Sequence, residues 1–168
     1  MTITVTYQPD KSVSFGDTVL LWGTDRQQVR RLLNDNFKIA DDVIDLSQYN
    51  NGDTSKNIIQ RRDIYENYKG QENFFFLNFD SNDKLTEIEL HHGFIIGIED
   101  VEIDFSMDVE KVAELLTSIS NDKKQPSDGE YLFEKLKLTI ASSDAMGGEG
   151  NELSYFYCGK DITHLIEN

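Results

Sequence analysis

Polar and apolar residues alternate at the start of the chain: Thr2-Ile3-Thr4-Val5-Thr6-Tyr7 has the two-residue period of a strand with one covered face. Residues 13–21 continue in β fashion, with Gly16-Asp17 as a turn or bulge between short pieces. The period then changes. From about Asp25 to Asn34, Val29, Leu32 and Leu33 recur at helical spacing, which sends Arg26, Arg30 and Asn34 to the opposite side. Thr24 stands three residues before Gln27, the spacing of a capping box. Asp25 in the first turn and Arg30 and Arg31 toward the end oppose the helix dipole favourably. Trp22, the only tryptophan, can fold back onto the apolar face. Arg26, Arg30 and Arg31 admit a reading as an anion site, but a solvated charged face is the norm for a surface helix and is the expectation here.

Residues 37–46 mix Phe37, Ile39, Val43, Ile44 and Leu46 with Asp41, Asp42 and Asp45, and fit neither period. Residues 50–55 form a loop, rich in Asn, Gly, Asp and Ser. Three strands are predicted over about 58–68, 73–79 and 85–91, the last two joined by a hairpin loop at 80–84. The phenylalanine run Phe74-Phe75-Phe76 is apolar toward both faces and marks a central strand covered on both sides or a strand shared between two layers. Leu85-Thr86-Glu87-Ile88-Glu89-Leu90 alternates, so that strand keeps one face wet. A short β-connection over 94–104 leads to a second helix, 107–119, with Ser106 as its cap and Val109, Val112, Ala113, Leu116 and Ile119 as its buried stripe. A polar loop over 120–129 contains Pro126. Strands about 131–141 and 153–158 follow, and 161–168 reads as a short terminal helix or a frayed end.

These elements define an α+β chain: a mainly antiparallel sheet with two principal helices packed on it, within one domain spanning 1–168. The stretches of about 1–93 and 94–168 share an order of helix, polar loop and antiparallel strands. They are a candidate duplication, although their residue-level match is poor.

Charge narrows the field of functions. The chain has 31 acidic against 16 basic residues, a net charge of −15, with ten Phe and seven Tyr to fill a core. Such a surface repels phosphate backbones, which disfavours nucleic-acid binding. It suits a basic protein partner. The first residues lack a basic stretch followed by an apolar one, and no apolar run nears the roughly 20 residues of a membrane span. The expected location is therefore cytoplasmic. The single Cys158 excludes an internal disulfide and reads as a buried thiol in the aromatic strand Tyr155-Phe156-Tyr157.

Little in the chain suggests catalysis. Glu87, Glu89 and His91 leave one face of a strand and form a weak candidate for a metal site or a general base. A solvated strand face explains the same pattern, and no other His or Cys cluster completes a site. Asp80-Ser81-Asn82-Asp83 begins like a calcium loop, then places Lys84 at a ligand position and Leu85 where the turn needs glycine. Gly147-Gly148-Glu149-Gly150 lacks the Lys-Ser/Thr and the following helix of a phosphate loop. No cofactor is implied. The other signal is acidic: Glu99, Asp100, Glu102 and Asp104, with Asp108 and Glu110 just beyond, form a dense group. Tyr65 and Tyr68, expected to be exposed, would supply aromatic anchors for a partner steered in by those acids.

Being small, strongly acidic, α+β, single-cysteine and free of catalytic constellations, the chain resembles in type the immunity proteins of bacterial toxin–immunity pairs. The resemblance covers the whole chain in character, with Trp22-Gly23-Thr24, Val29-Arg30-Arg31-Leu32-Leu33 and Asp63-Ile64-Tyr65 as its most distinctive segments. It implies a non-catalytic inhibitor that binds a basic toxin, such as a nuclease, and blocks it. The alternatives are a general interaction module, or a small-molecule or metal-binding enzyme using Glu87, Glu89 and His91.

Overall fold

The computed structural model describes residues 1–166. Its strands are β1 (Ile3–Gln8), β2 (Ser12–Phe15), β3 (Thr18–Leu21), β4 (Lys38–Ile39), β5 (Asp42–Ile44), β6 (Ile58–Glu66), β7 (Phe74–Phe79), β8 (Leu85–His92), β9 (Phe94–Ile98), β10 (Val101–Asp104), β11 (Lys123–Ser127), β12 (Glu130–Phe133), β13 (Leu138–Ser142) and β14 (Leu153–Gly159). The helices are α1 (Arg26–Leu33), α2 (Val109–Thr117) and a short α3 (Thr163–Ile166). One sheet has the order β10-β9-β1-β2-β3. The other has the order β11-β12-β13-β14-β8-β7-β6-β4, with β5 continuing beside β6. All pairings are antiparallel except β1 with β9.

The two sheets face one another over one core. Val5, Tyr7, Val13, Phe15, Phe94, Ile96 and Ile103 come from the small sheet, and Phe75, Leu77, Ile88, Leu90, Ile140 and Phe156 from the large one. Helix α1 lies along β3 and buries Val29 and Leu33, and α2 reaches from β10 to β13 and buries Val109, Val112, Ala113 and Leu116. The helices thus flank the sandwich rather than lie across an open sheet. The reason is that both sheets already cover each other's apolar faces, leaving only the two side openings to fill.

Both helix caps fall one or two residues later than the spacing predicts. Asp25, not Thr24, accepts from the Gln27 N–H (3.0 Å), while the Thr24 hydroxyl donates to the Leu21 carbonyl. Asp108, not Ser106, accepts from the Glu110 N–H (2.9 Å). A carboxylate satisfies the orphan donor and complements the dipole together, so Asp takes the position in both cases.

The chain is built twice from one plan. Segment 12–33 corresponds residue for residue to 95–116: hairpin, turn, aromatic plug and capped helix. Gly16 and Glu99 both have positive φ in their turns. Trp22 and Phe105 both lean on the core, and Val29 and Leu33 match Val112 and Leu116. The Leu85 N–H donates to the Thr24 carbonyl just as Leu153 donates to Met107, and Arg26 donates to Asp83 as Val109 does to Asn151. The β6-β7-β8 meander matches β12-β13-β14, down to a register shift before Phe79 and before Ser142. In the pairing of β8 with β14, Ile88 opposes Cys158 and Leu90 opposes Phe156, so a pseudo-twofold axis passes between Glu89 and Tyr157. Strand β1 is the extra member, inserted between β2 and β9.

Candidate functional site

At the pseudo-twofold axis, the outer face of the large sheet gathers the residues of the predicted Glu-x-Glu-x-His row. Glu89 is only 8 % exposed. Its carboxylate accepts from Arg62 Nη2 (2.8 Å), Asn78 Nδ2 (2.7 Å) and the Tyr155 hydroxyl (2.7 Å). The expectation of a solvated strand face fails here, because the neighbouring strands bring three donors and a canopy of rings over the carboxylate. Arg62 also stacks over Phe76, 4.5 Å from its centroid. Glu87 is less well served. It faces Asn78 Nδ2 at 3.4 Å and His164 Nε2 at 3.9 Å, and burial raises its carboxyl above the ordinary carboxylate value.

His91 lies among Phe74, Phe76 and Tyr155, and its Nε2 is buried without a partner. Burial lowers its pKa and keeps the ring neutral. Among the described residues, no three His, Cys, Asp or Glu side chains group as metal ligands. A depression of about 330 Å³ adjoins this cluster, walled by Tyr155, Tyr157, Leu132, Thr139 and the α3 residues His164 and Leu165. Chemically, the face carries one tightly satisfied carboxylate, one poorly solvated carboxylate and a neutral imidazole under aromatic cover.

The acidic group and the tyrosines do not come together. Glu99 and Asp100 form the β9–β10 turn, and Glu102 projects from the edge strand β10, all exposed. Asp104 is half-buried and accepts from the Ser106 hydroxyl and from the Ser106 N–H (2.8 Å), which lower its pKa. Tyr65 and Tyr68 are on the α1 side and are 0 % and 2 % exposed. They interlock with Phe15 and Phe75 as core rings, so they present no surface to a partner. The large sheet needs these rings to fill its contact with β2, and that demand overrides their polar tips.

The arginine face of α1 also departs from expectation. Arg26 is 4 % exposed and Asp63, on β6, is 0 %. Arg26 donates to Asp63 through Nη2 (2.6 Å) and Nε (3.1 Å), to both oxygens of Asp41 (2.8 and 3.1 Å), and to the Arg62 carbonyl (3.0 Å). Arg30 completes the cluster with two bonds to Asp63, each 2.8 Å. Only Arg31 keeps the solvated role. The signal was available: Arg26 stands three and seven residues before Val29 and Leu33, on their face of the helix. Asp63 stands two residues before Tyr65, on its face of the strand.

Asp41 belongs to a projecting arm, residues 37–60, which joins the unassigned stretch 37–46, the expected loop at 50–55 and the start of the strand predicted from about 58. Its ribbon pairs Val43 with Ile59 and Ile44 with Ile58, so apolar side chains project from both faces. Ile39, Val43, Ile44, Tyr49, Ile58 and Ile59 are all exposed, Tyr49 by 77 %. The equivalent connection of the second half holds only the short β11, Lys123 to Ser127, with no apolar residue.

Fold and surface together define a duplicated α+β sandwich whose first half carries an apolar arm on a buried ionic anchor. Comparison with protein-family models, with curated proteins and with solved structures finds no match. No helix among the described residues is long and apolar enough to cross a membrane.

Proposed function

We propose that this chain is a non-catalytic acidic binding protein of the immunity type, which captures and neutralises a basic protein toxin in the cytoplasm. The observation that carries the reading is the disposition of its arginines. Four of the five are consumed by internal carboxylates: Arg26 and Arg30 by Asp63, Arg61 by Asp83 and Arg62 by Glu89. The outward surface is therefore dominated by unpaired acids such as Glu99, Asp100 and Glu102, a field that draws in a basic partner. Saturation of Glu89 by three donors weighs against its use as a base or metal ligand, and so against the enzyme alternative.

The test is affinity capture from the native host at low and then high salt, followed by binding kinetics with the purified captured protein. The reading expects one basic protein whose association rate falls as salt rises, and falls again in Glu99→Lys/Glu102→Lys while the melting temperature holds. A partner with no excess of basic residues, or an association rate indifferent to salt and to those substitutions, would overturn it.

A further inference from the structure

We infer that the apolar arm, residues 37–60, is the element that docks on the basic partner, entering an apolar recess bordered by lysines and arginines. The inference rests on the basic-partner reading above and names the surface that serves it. Three observations carry it. First, the fold does not need the arm: the second half makes the same helix-to-meander connection with the short polar β11. Second, a two-stranded ribbon is marginal in water, yet this one leaves isoleucines bare on both faces. Ile39, Val43, Ile44, Tyr49, Ile58 and Ile59 are exposed together on this one arm, a concentration of bare apolar side chains of the kind that marks an interaction site.

Third, the arm is held in shape without covering those side chains. Arg26 grips Asp41, Gln60 Nε2 donates to the Ala40 carbonyl (2.9 Å), and the Leu46 N–H donates to Asn57 Oδ1 (2.8 Å). Asp45 and Asp53 accept from the Ser47 and Ser55 N–H groups and fix the tip. An apolar surface presented rigidly loses little freedom on binding. The arm's exposed carboxylates, Asp42, Asp45 and Asp53, outnumber its exposed lysines, Lys38 and Lys56, and select the occupant. They match a basic rim and would face their own kind in a second copy, which also carries a net charge of −15.

The experiment places a benzophenone amino acid at Ile44, at Ile59 and, as a control on the opposite sheet, at Val19, in cells that make the full chain. The cross-linked protein is identified by mass spectrometry, purified and used as the binding probe. Cross-links to one basic protein from Ile44 and Ile59 but not Val19 are expected. With that protein, Ile44→Asp and Ile59→Asp should each weaken affinity at least about tenfold while circular dichroism and melting stay unchanged, since both side chains are exposed.

A basic protein that binds both variants as tightly as the parent chain would overturn the arm while leaving the proposed function standing. No basic protein bound at all would remove the proposed function and the inference with it. Cross-links to a second copy, with a sedimenting dimer that Ile59→Asp dissolves, would also overturn the inference, because the arm's occupant would then be the chain itself.

Discussion

Replacing Arg26 by methionine should be among the most damaging single changes outside the apolar core, and replacing Asp63 by leucine at the same time should repair most of the damage. Arg26 is buried against a fully buried Asp63, at 2.6 Å. Removing the guanidinium leaves Asp63 with Arg30 alone and strips Asp41 of both its bonds to Arg26, leaving it only the Arg62 N–H. Breaking a buried pair from one side costs about 3–5 kcal/mol. Since Arg30 still serves Asp63, the lower end applies: about 3 kcal/mol, or a melting temperature lower by about 6–12 °C for a chain of this size. The double variant removes both charges, and the second half indicates that the position accepts it, because Val109 and Tyr131 occupy the equivalent sites. Its loss should be about 1 kcal/mol, far less than the sum of the single losses. Urea unfolding of the three variants measures this. Losses that add to within about 0.5 kcal/mol would refute the pair as a unit. Amide exchange gives a second reading: over 38–44 it should be fast in Arg26→Met and remain fast in the stable double variant. Protection regained there would refute the anchoring of the arm through Asp41.

Glu87 gives a pH prediction. Burial raises its folded value, so the stability it contributes is complete below the ordinary carboxylate value and is lost as pH rises through the folded one. Glu87→Gln should therefore raise the melting temperature at pH 7 by a few degrees and leave it unchanged near pH 3.5, below the ordinary value of about 4.3; an equal shift at both pH values would contradict this. Cys158 is 1 % exposed, and burial raises its thiol well above the ordinary range, so a colourimetric thiol reagent should react only after denaturant is added. Prompt reaction in native buffer would place that thiol outside the core.

How far the chain could be read depended on whether local pattern and tertiary demand agree. They agree along β7, where the phenylalanine run gives a central strand, and in part along β8, whose alternation puts Leu85, Ile88 and Leu90 in the core but whose expected wet face is covered at Glu89. They agree in α2, where Val109, Val112, Ala113 and Leu116 of the predicted stripe are buried, while Ile119, its last member, falls past the helix end and is half-buried. They part at Arg26 and Asp63. Arg26 is expected on a solvated charged face, although its spacing from Val29 and Leu33 also fits their side of the helix, and Asp63 shares the strand face of Tyr65. Burial is possible only because each partner comes from a distant element, a fact that no local window contains. Tyr65 and Tyr68 fail in the opposite sense: they are expected as exposed aromatic anchors for a partner, yet the rings sit in the core with both hydroxyls lacking a partner. The arm was opaque for a third reason. A run such as Ile39, Val43 and Ile44 is apolar whether or not something covers it, and coverage is a property of the assembled structure.

The duplication turns this difference between halves into an argument about function. Core positions accept apolar side chains of similar volume, so the two halves can follow one plan with Trp22 at the position equivalent to Phe105 and Leu20 at that of Ile103. What the copies still share is what the fold requires: a turn with positive φ, an aspartate cap, two apolar residues one helical turn apart, and a three-stranded meander. What only one copy has is free of that requirement. The first half alone holds the Arg26–Asp63–Asp41 cluster and the arm it anchors. A buried ion pair seldom stabilises more than the apolar pair that could replace it, and here the replacement stands in the same molecule. The cluster therefore needs a reason outside folding stability, and it holds the root of the arm twice, through the Arg26–Asp41 pair and through Arg30 stacked over Phe37. Fixing a bare apolar ribbon in one orientation is of no use to the monomer. It is of use to a complex, where the ordering has been completed before the partner arrives.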